Sequence, residues 1–138
     1  MTCEEILRYR NENNSFASFL GITTLEMKEG YARGEMKLEK HHKNAVNSVH
    51  GGCIFALADT IGGAAAASHG TRITTISGDF HFISAAFDSK LLEATAREVK
   101  FGKKICVYDV EVRDETGKMI AKGLFSYYNL GTPWDATC

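Results

Sequence analysis

The stretch Val49–Gly70, VHGGCIFALADTIGGAAAASHG, decides how the rest of the chain must fold. It opens on His50-Gly51-Gly52 and then runs for about five helical turns with almost no polar side chain. A helix that is apolar on every side belongs in the middle of a protein core or in a bilayer. The one charge inside it is Asp59. A carboxylate there is costly unless it has a partner or a chemical role. Val49–Ala67 is nearly long enough to span a membrane. Central Asp59, the glycines around it and amphipathic strands on both sides argue against that reading and for a soluble chain.

On the N-terminal side, Thr2 and Glu5 have capping-box spacing, which predicts a helix from Cys3 to the Asn-rich segment 11–14. Ser15–Leu20 reads as a short helical turn closed by Gly21. Ile22–Lys28 and Tyr31–Leu38 read as a hairpin turning at Glu29-Gly30. Glu39–Ser48 is polar and irregular and holds His41, His42, Asn44 and Asn47. His69-Gly70 is a helix stop signal. Beyond it, Arg72–Ser84, Leu91–Lys100, Lys104–Asp114 and Lys118–Asn129 read as four strands in a meander-like run. A loose tail with the only proline, Pro133, follows. In Lys104–Asp114 the alternation puts Cys106, Tyr108, Val110 and Val112 on one face and Asp109, Glu111 and Arg113 on the other.

Helices do not alternate with strands, so the class is α+β rather than parallel α/β. One apolar helix covers only one face of an antiparallel sheet. The simplest arrangement curls the sheet around the helix, with a second subunit over what remains. At 138 residues the chain reads as one domain, 1–138, large enough for a core. A net charge of -1 gives no basic surface for nucleic acid. Cys3, Cys53, Cys106 and Cys138 show no CxxC and no metal-ligand spacing, which suits a reducing cytosol. The N-terminal segment MTCEEILRYRNEN lacks an apolar signal segment, and the expected location is cytoplasmic.

Helix N-termini carry unpaired N–H groups and partial positive charge, and glycines let a substrate oxygen approach them. Gly51 and Gly52 could therefore hold an oxyanion developing on a carbonyl, or only allow a tight turn into the helix. Asp59 lies eight residues after Gly51, about 12 Å along the helix. The two are too far apart to act on one carbonyl from one chain. If both act, they come from different copies meeting across a two-fold interface. The alternative is a structural Asp bonded to a hydroxyl such as that of Thr60, or paired with an arginine. Asn44 could turn its amide toward the same carbonyl, or be a turn residue. His50 could bond substrate or brace its loop. His41, His42, His69 and His81 have no ligand spacing, so no metal is expected, and no GxSxG elbow supports a serine hydrolase. Lys100, Gly102, Lys103 and Lys104 form a turn where lysines could meet phosphates or simply be solvated.

Asn44-x-x-Asn47-x-x-His50-Gly51-Gly52 with Phe55-x-Leu57-Ala58-Asp59 resembles the hot-dog-fold acyl-CoA thioesterases of the phenylacetate-degradation (PaaI-like) type. The similarity continues through Thr75–Ala86, the RxxxFGKK turn of Arg97–Lys104, and VEVRDETGKMIAKG in the final hairpin. The resemblance implies a hot-dog fold, in which a curved antiparallel sheet wraps one long central helix. It also implies homodimers with shared active sites that pair into tetramers. By the same likeness, the Gly51 N–H polarises the thioester carbonyl with help from Asn44. Asp59 of the partner acts as general base on water, with nucleophilic attack as the alternative. Thr75 places that water, and His50 orders the loop near the sulfur. Gly52, Phe55 and Phe82 line the acyl pocket, joined by Ile54, Leu57 and Phe80, while Gly102, Lys103 and Lys104 meet the CoA end. Asn47 stands where the family has Gly, and Asn tolerates positive φ better than most residues. The chemistry needs no cofactor, because a thioester requires only a polarised carbonyl and a deprotonated water. A non-catalytic acyl-CoA-binding domain is the competing function. A hydratase is a third, but its Asp…His dyad motif is not visible.

Overall fold

The computed structural model describes residues 1–134. The Thr2 hydroxyl and the Glu5 carboxylate form a reciprocal capping box that starts α1 (Cys3–Asn13). Asn14 caps the short α2 (Ser15–Leu20), which Gly21 closes at φ 78°. A hairpin of β1 (Ile22–Lys28) and β2 (Tyr31–Lys37) turns at Gly30, also at positive φ. After a 3₁₀ turn at Lys40–His42 comes the long helix α3 (Gly51–Ala67). The strands β3 (Thr71–Phe82), β4 (Leu91–Phe101), β5 (Ile105–Asp114) and β6 (Met119–Pro133) complete the fold. Element order and bounds agree with the sequence reading to within a few residues, except that β6 runs on to Pro133. That proline sits opposite Thr71 at the ladder's end, where a missing N–H costs nothing. The expected loose tail beyond it, with Cys138, falls outside the described residues.

All six strands form one antiparallel sheet in the order β1-β2-β4-β5-β6-β3. The meander holds for β4–β6, but β3 crosses to the far edge beside β6, and the β1–β2 hairpin joins the other side. α3 lies against every strand. Leu57, Ala58, Ile61 and Ala64–Ala67 on the helix are sealed from solvent, as are Ala94, Ala96, Tyr108, Val110, Val112, Phe125 and Tyr127 on the sheet. The inward row of β5 is the Cys106, Tyr108, Val110, Val112 row that alternation predicts.

The curved sheet wrapped around the helix, expected from both patterning and resemblance, is not found. The sheet is open, with β1 and β3 as separate edges, and α3 packs across one face of it. The last two turns of α3 are Gly62, Gly63 and four alanines. A helix that slender seats on an open sheet, and α2 packs on its flank while α1 packs on β1 and α2, instead of further curl. Asn11 ties α1 to the edge strand. Its side-chain amide exchanges two 2.9 Å hydrogen bonds with the Thr24 backbone, beside the β1 bulge. Among the described residues no helix is long and apolar enough to cross a membrane.

Candidate active site

The site begins where the loop before α3 is forced to stop. Asn44 Oδ1 accepts the N–H groups of Val46 (3.0 Å) and Ser48 (3.1 Å), and its Nδ2 donates to Ser48 Oγ (2.9 Å). Asn47 takes φ 64°, so Asn supplies the left-handed conformation that Gly would give. The Val49 N–H donates to the Ala86 carbonyl and the His50 N–H to the His42 carbonyl, which delivers the chain to α3 at a fixed angle. His42 itself is a sealed core histidine: Nδ1 accepts the Glu39 N–H and Nε2 donates to the Leu20 carbonyl at 2.7 Å.

His50 caps α3. Its Nδ1 accepts the Gly52 N–H at 2.8 Å, which places the ring proton on the exposed Nε2. Its carbonyl accepts from Cys53 (2.9 Å) and Ile54 (3.3 Å). Among the described residues the Gly51 N–H has no acceptor, and it is the uncommitted donor of the first turn. A groove of about 290 Å³, lined by Val49, Gly51, Ile54, Phe82 and Ile83 among others, opens beside it. The Phe82 ring lies against Gly51, where even a Cβ would come within 3.3 Å of it. Phe55, Phe80 and Phe125 continue an aromatic wall from Phe82, at centroid separations of 5.2–6.0 Å.

Asp59 is half-buried further along α3. Its Oδ1 accepts from Thr75 Oγ1 at 2.8 Å and from the Tyr127 hydroxyl at 3.3 Å. The same hydroxyl proton is shared with the Asp59 carbonyl, which lies at 3.0 Å. Burial first, and the Asp59 charge second, push the Tyr127 phenol well above its ordinary value, so it stays a donor at every working pH. One oxygen of Asp59 is thus anchored. Oδ2 has no protein partner among the described residues.

Two clusters result. His50, Gly51, Gly52 and Phe82 gather at the helix start, while Asp59 and Thr75 gather two turns on. Gly102, Lys103 and Lys104 belong to neither. Their turn is docked near the opposite helix end, where Phe101 stacks on His69 at 3.6 Å. Lys103 and Lys104 form no ion pair among the described residues. Thr60 does not bond Asp59, and the Asn44 amide is turned into its own loop. Tyr127 escaped the sequence reading. Alternation with Phe125 puts it on the inward face, but nothing in β6 announces Asp59 across the core. No spacing points to Arg10 either, whose Nη2 donates to the Thr60 carbonyl at 3.1 Å.

Residues 46–121 match the family model of the thioesterase superfamily. A candidate esterase of Archaeoglobus fulgidus is 37% identical over 134 residues, spanning 97% of this chain and 87% of that protein. The acyl-coenzyme A thioesterase PaaI of Escherichia coli is 34% identical over 110 residues, 80% of this chain and 79% of that protein. The solved structure of the E. coli PaaI protein from the phenylacetic acid degradation operon superposes with a TM-score of 0.91. That superposition covers 95% of both chains, at 30% identity.

Proposed function

The chain belongs to the thioesterase superfamily, in its PaaI-like branch of acyl-CoA thioester hydrolases, and from that premise we propose an active site built across two subunits. The substrate is an acyl-CoA, cleaved to a free acid and CoA. The carbonyl oxygen sits at the Gly51 N–H, at the positive end of α3. Water attacks the carbonyl carbon while Asp59 of the other subunit takes its proton through the uncommitted Oδ2. Thr75 and Tyr127 hold the opposite oxygen, so the carboxylate cannot swing away. The tetrahedral oxyanion then collapses, the C–S bond breaks, and the sulfur leaves to be protonated as the CoA thiol. His50 and Asn44 act on the loop: His50 by capping the helix, Asn44 by fixing the turn that presents Gly51. Gly52, Phe55 and Phe82 bound the acyl end, and the Gly102–Lys104 turn takes the nucleotide end.

The observation that carries this reading is the division of the two clusters. Gly51 and Asp59 stand about 12 Å apart along α3, and Phe82 and Thr75, which pack on them, stand about 24 Å apart along β3. β3 is a free sheet edge of 12 residues whose Ile76 and Phe82 are half exposed. A long apolar edge strand is a template for pairing with another strand. An antiparallel pairing of β3 with its own copy, centred near Gly78, sets Thr75 and Asp59 of one chain beside Phe82 and Gly51 of the other. Pairing of such dimers into a tetramer is the further assembly we propose from the family likeness.

Subunit complementation tests the shared site. Gly51→Pro removes the free N–H, Asp59→Ala removes the carboxylate, and both homodimers should be weak. Random 1:1 exchange makes about half the dimers mixed, each with one intact site, which returns roughly a quarter of wild-type activity on an acyl-CoA. Mixed dimers, verified with two tags, that stay at the parental level would place the site within one chain.

A further inference from the structure

The loop that leads into α3 leaves one hydroxyl proton without a protein acceptor. Asn44 and Ser48 close that loop on each other: the Asn44 N–H donates to the Ser48 carbonyl at 2.8 Å, and the Ser48 N–H to Asn44 Oδ1 at 3.1 Å. Oδ1 also takes the Val46 N–H at 3.0 Å, so both of its lone pairs are filled. Two backbone donors on one atom identify it as the amide oxygen, and the amide nitrogen therefore faces Ser48. Nδ2 donates to Ser48 Oγ at 2.9 Å. A hydroxyl that receives a hydrogen bond from one side sends its own proton elsewhere. Asn44 offers it no acceptor, and among the described residues no other group accepts from Ser48 Oγ. Ser48 is 8% exposed, and the free space it borders is the groove that Gly51, Ile54 and Phe82 also line. The uncommitted Gly51 N–H opens on the same groove. A buried polar hydrogen with no partner is costly; one that meets a substrate oxygen is not.

We propose that Ser48 is the second donor of the oxyanion pocket: its O–H, turned away from Asn44 and into the groove, joins the Gly51 N–H on the thioester oxygen. The inference rests on Gly51 receiving the carbonyl of an acyl-CoA. Two donors that converge on an oxygen as it gains charge stabilise the tetrahedral state more than the ground state. The start of α3 adds the positive end of the helix to the same point. Asn44 then acts through Ser48, as the positioning residue that orients its proton. The amide N–H on Oγ takes no proton from it, so Asn44 makes Ser48 a donor and not a nucleophile.

The test compares Ser48→Ala, Ser48→Thr, Asn44→Asp and the Asn44→Asp/Ser48→Ala double variant with wild type and Gly51→Pro. Hydrolysis of hexanoyl-CoA and benzoyl-CoA is followed with a thiol reagent, and circular dichroism and gel filtration identify the folded variants. Ser48→Ala should lower kcat on the order of 10²- to 10³-fold, the cost of one oxyanion donor, with KM within a few-fold. Ser48→Thr keeps the hydroxyl and should recover most of that loss. Asn44→Asp keeps both backbone bonds to Oδ1 but puts an oxygen in place of Nδ2, which accepts the Ser48 proton and turns it from the groove. It should lower kcat by a comparable factor, and the double variant should be no worse than either single one. A CoA-linked trifluoromethyl ketone, which mimics the tetrahedral state, should lose affinity for Ser48→Ala in step with kcat. The S-hexyl thioether of CoA, which has no carbonyl, should bind as it does to wild type. A folded Ser48→Ala enzyme with kcat within a few-fold of wild type overturns the proposal, as does a folded Asn44→Asp enzyme at the wild-type rate. Equal losses for the ketone and the thioether make Ser48 a structural part of the loop and also overturn it. A Gly51→Pro enzyme that keeps its kcat instead overturns the placement of the carbonyl. Loss of activity in Gly51→Pro with Ser48→Ala at the wild-type rate leaves that placement standing and removes only Ser48 from it.

Discussion

Gly62 and Gly63 are adjacent on α3, and the structure predicts opposite outcomes for the same substitution at the two. A Cβ on Gly62 would collide with the Tyr127 hydroxyl, lie 3.1 Å from its ring Cζ and 3.3 Å from Val110 Cγ2. Ordinary contact begins at 3.4 Å, so Cζ must retreat by at least 0.3 Å and the hydroxyl by more. Its 3.3 Å bond to Asp59 Oδ1 does not survive that move. Alanine gains about 1 kcal/mol of helix propensity over glycine, while overpacking of a core costs about 1–3 kcal/mol. Gly62→Ala should therefore be destabilising by about 0–2 kcal/mol net. A hydrogen bond to a charged group contributes about 1.5–3 kcal/mol, so kcat should fall roughly tenfold or more, with KM nearly unchanged. At Gly63 a Cβ would meet only the flexible Arg10 tip at 3.3 Å, Ile73 at 3.6 Å and Tyr127 Cε1 at 3.7 Å. Gly63→Ala should be neutral to slightly stabilising, with near-wild-type kcat. Denaturant unfolding at one fixed protein concentration and steady-state kinetics on an acyl-CoA read both effects. A Gly62→Ala protein as stable and active as Gly63→Ala would refute the placement of Tyr127 against Asp59.

Asp59→Asn keeps the shape and removes the base, so kcat should drop roughly 10²- to 10⁴-fold with a much smaller change in KM; steady-state kinetics within a few-fold of wild type would make Asp59 structural. Replacing Lys103 and Lys104 together with Ala should raise KM for acyl-CoA and weaken its salt dependence, while an acyl-pantetheine, which lacks the nucleotide phosphates, should be indifferent. Asp114 accepts from the Thr116 hydroxyl (2.6 Å) and N–H, the Lys118 N–H and Ser89, which hold its carboxyl below the ordinary 3.8, the Thr116 hydroxyl contributing most. Its folded value is the lower one, so the stabilisation is complete above 3.8 and is lost as pH falls below that through the folded value. Asp114→Asn should cost about 1 kcal/mol at neutral pH, and its unfolding midpoint should converge on wild type as the pH falls through the folded value.

What could be read from the sequence was whatever depends on neighbours along the chain. The Thr2–Glu5 capping box, the Gly21 and Gly30 turns and the 2.0 period of β5 are local, and all three reappear in the structure. The 12 Å between Gly51 and Asp59 is also local, because a helix converts sequence distance into length without reference to the rest of the fold. Strand order was not legible past the β4–β6 meander. The crossover that carries β3 to the edge beside β6 leaves no trace in either strand's alternation. The open sheet was misjudged because patterning reports which face of an element is apolar, not how thick the element is. Gly62, Gly63 and four alanines were read as hydrophobic, but their decisive property is small size. That small size lets Tyr127 come within reach of Asp59 and Arg10 within reach of Thr60. The same residues that make the core thin thus bring the polar partners of Asp59 to it. Those partners are also what a spacing argument omits, since Thr75 and Tyr127 come from two separate strands that only the fold brings to Asp59.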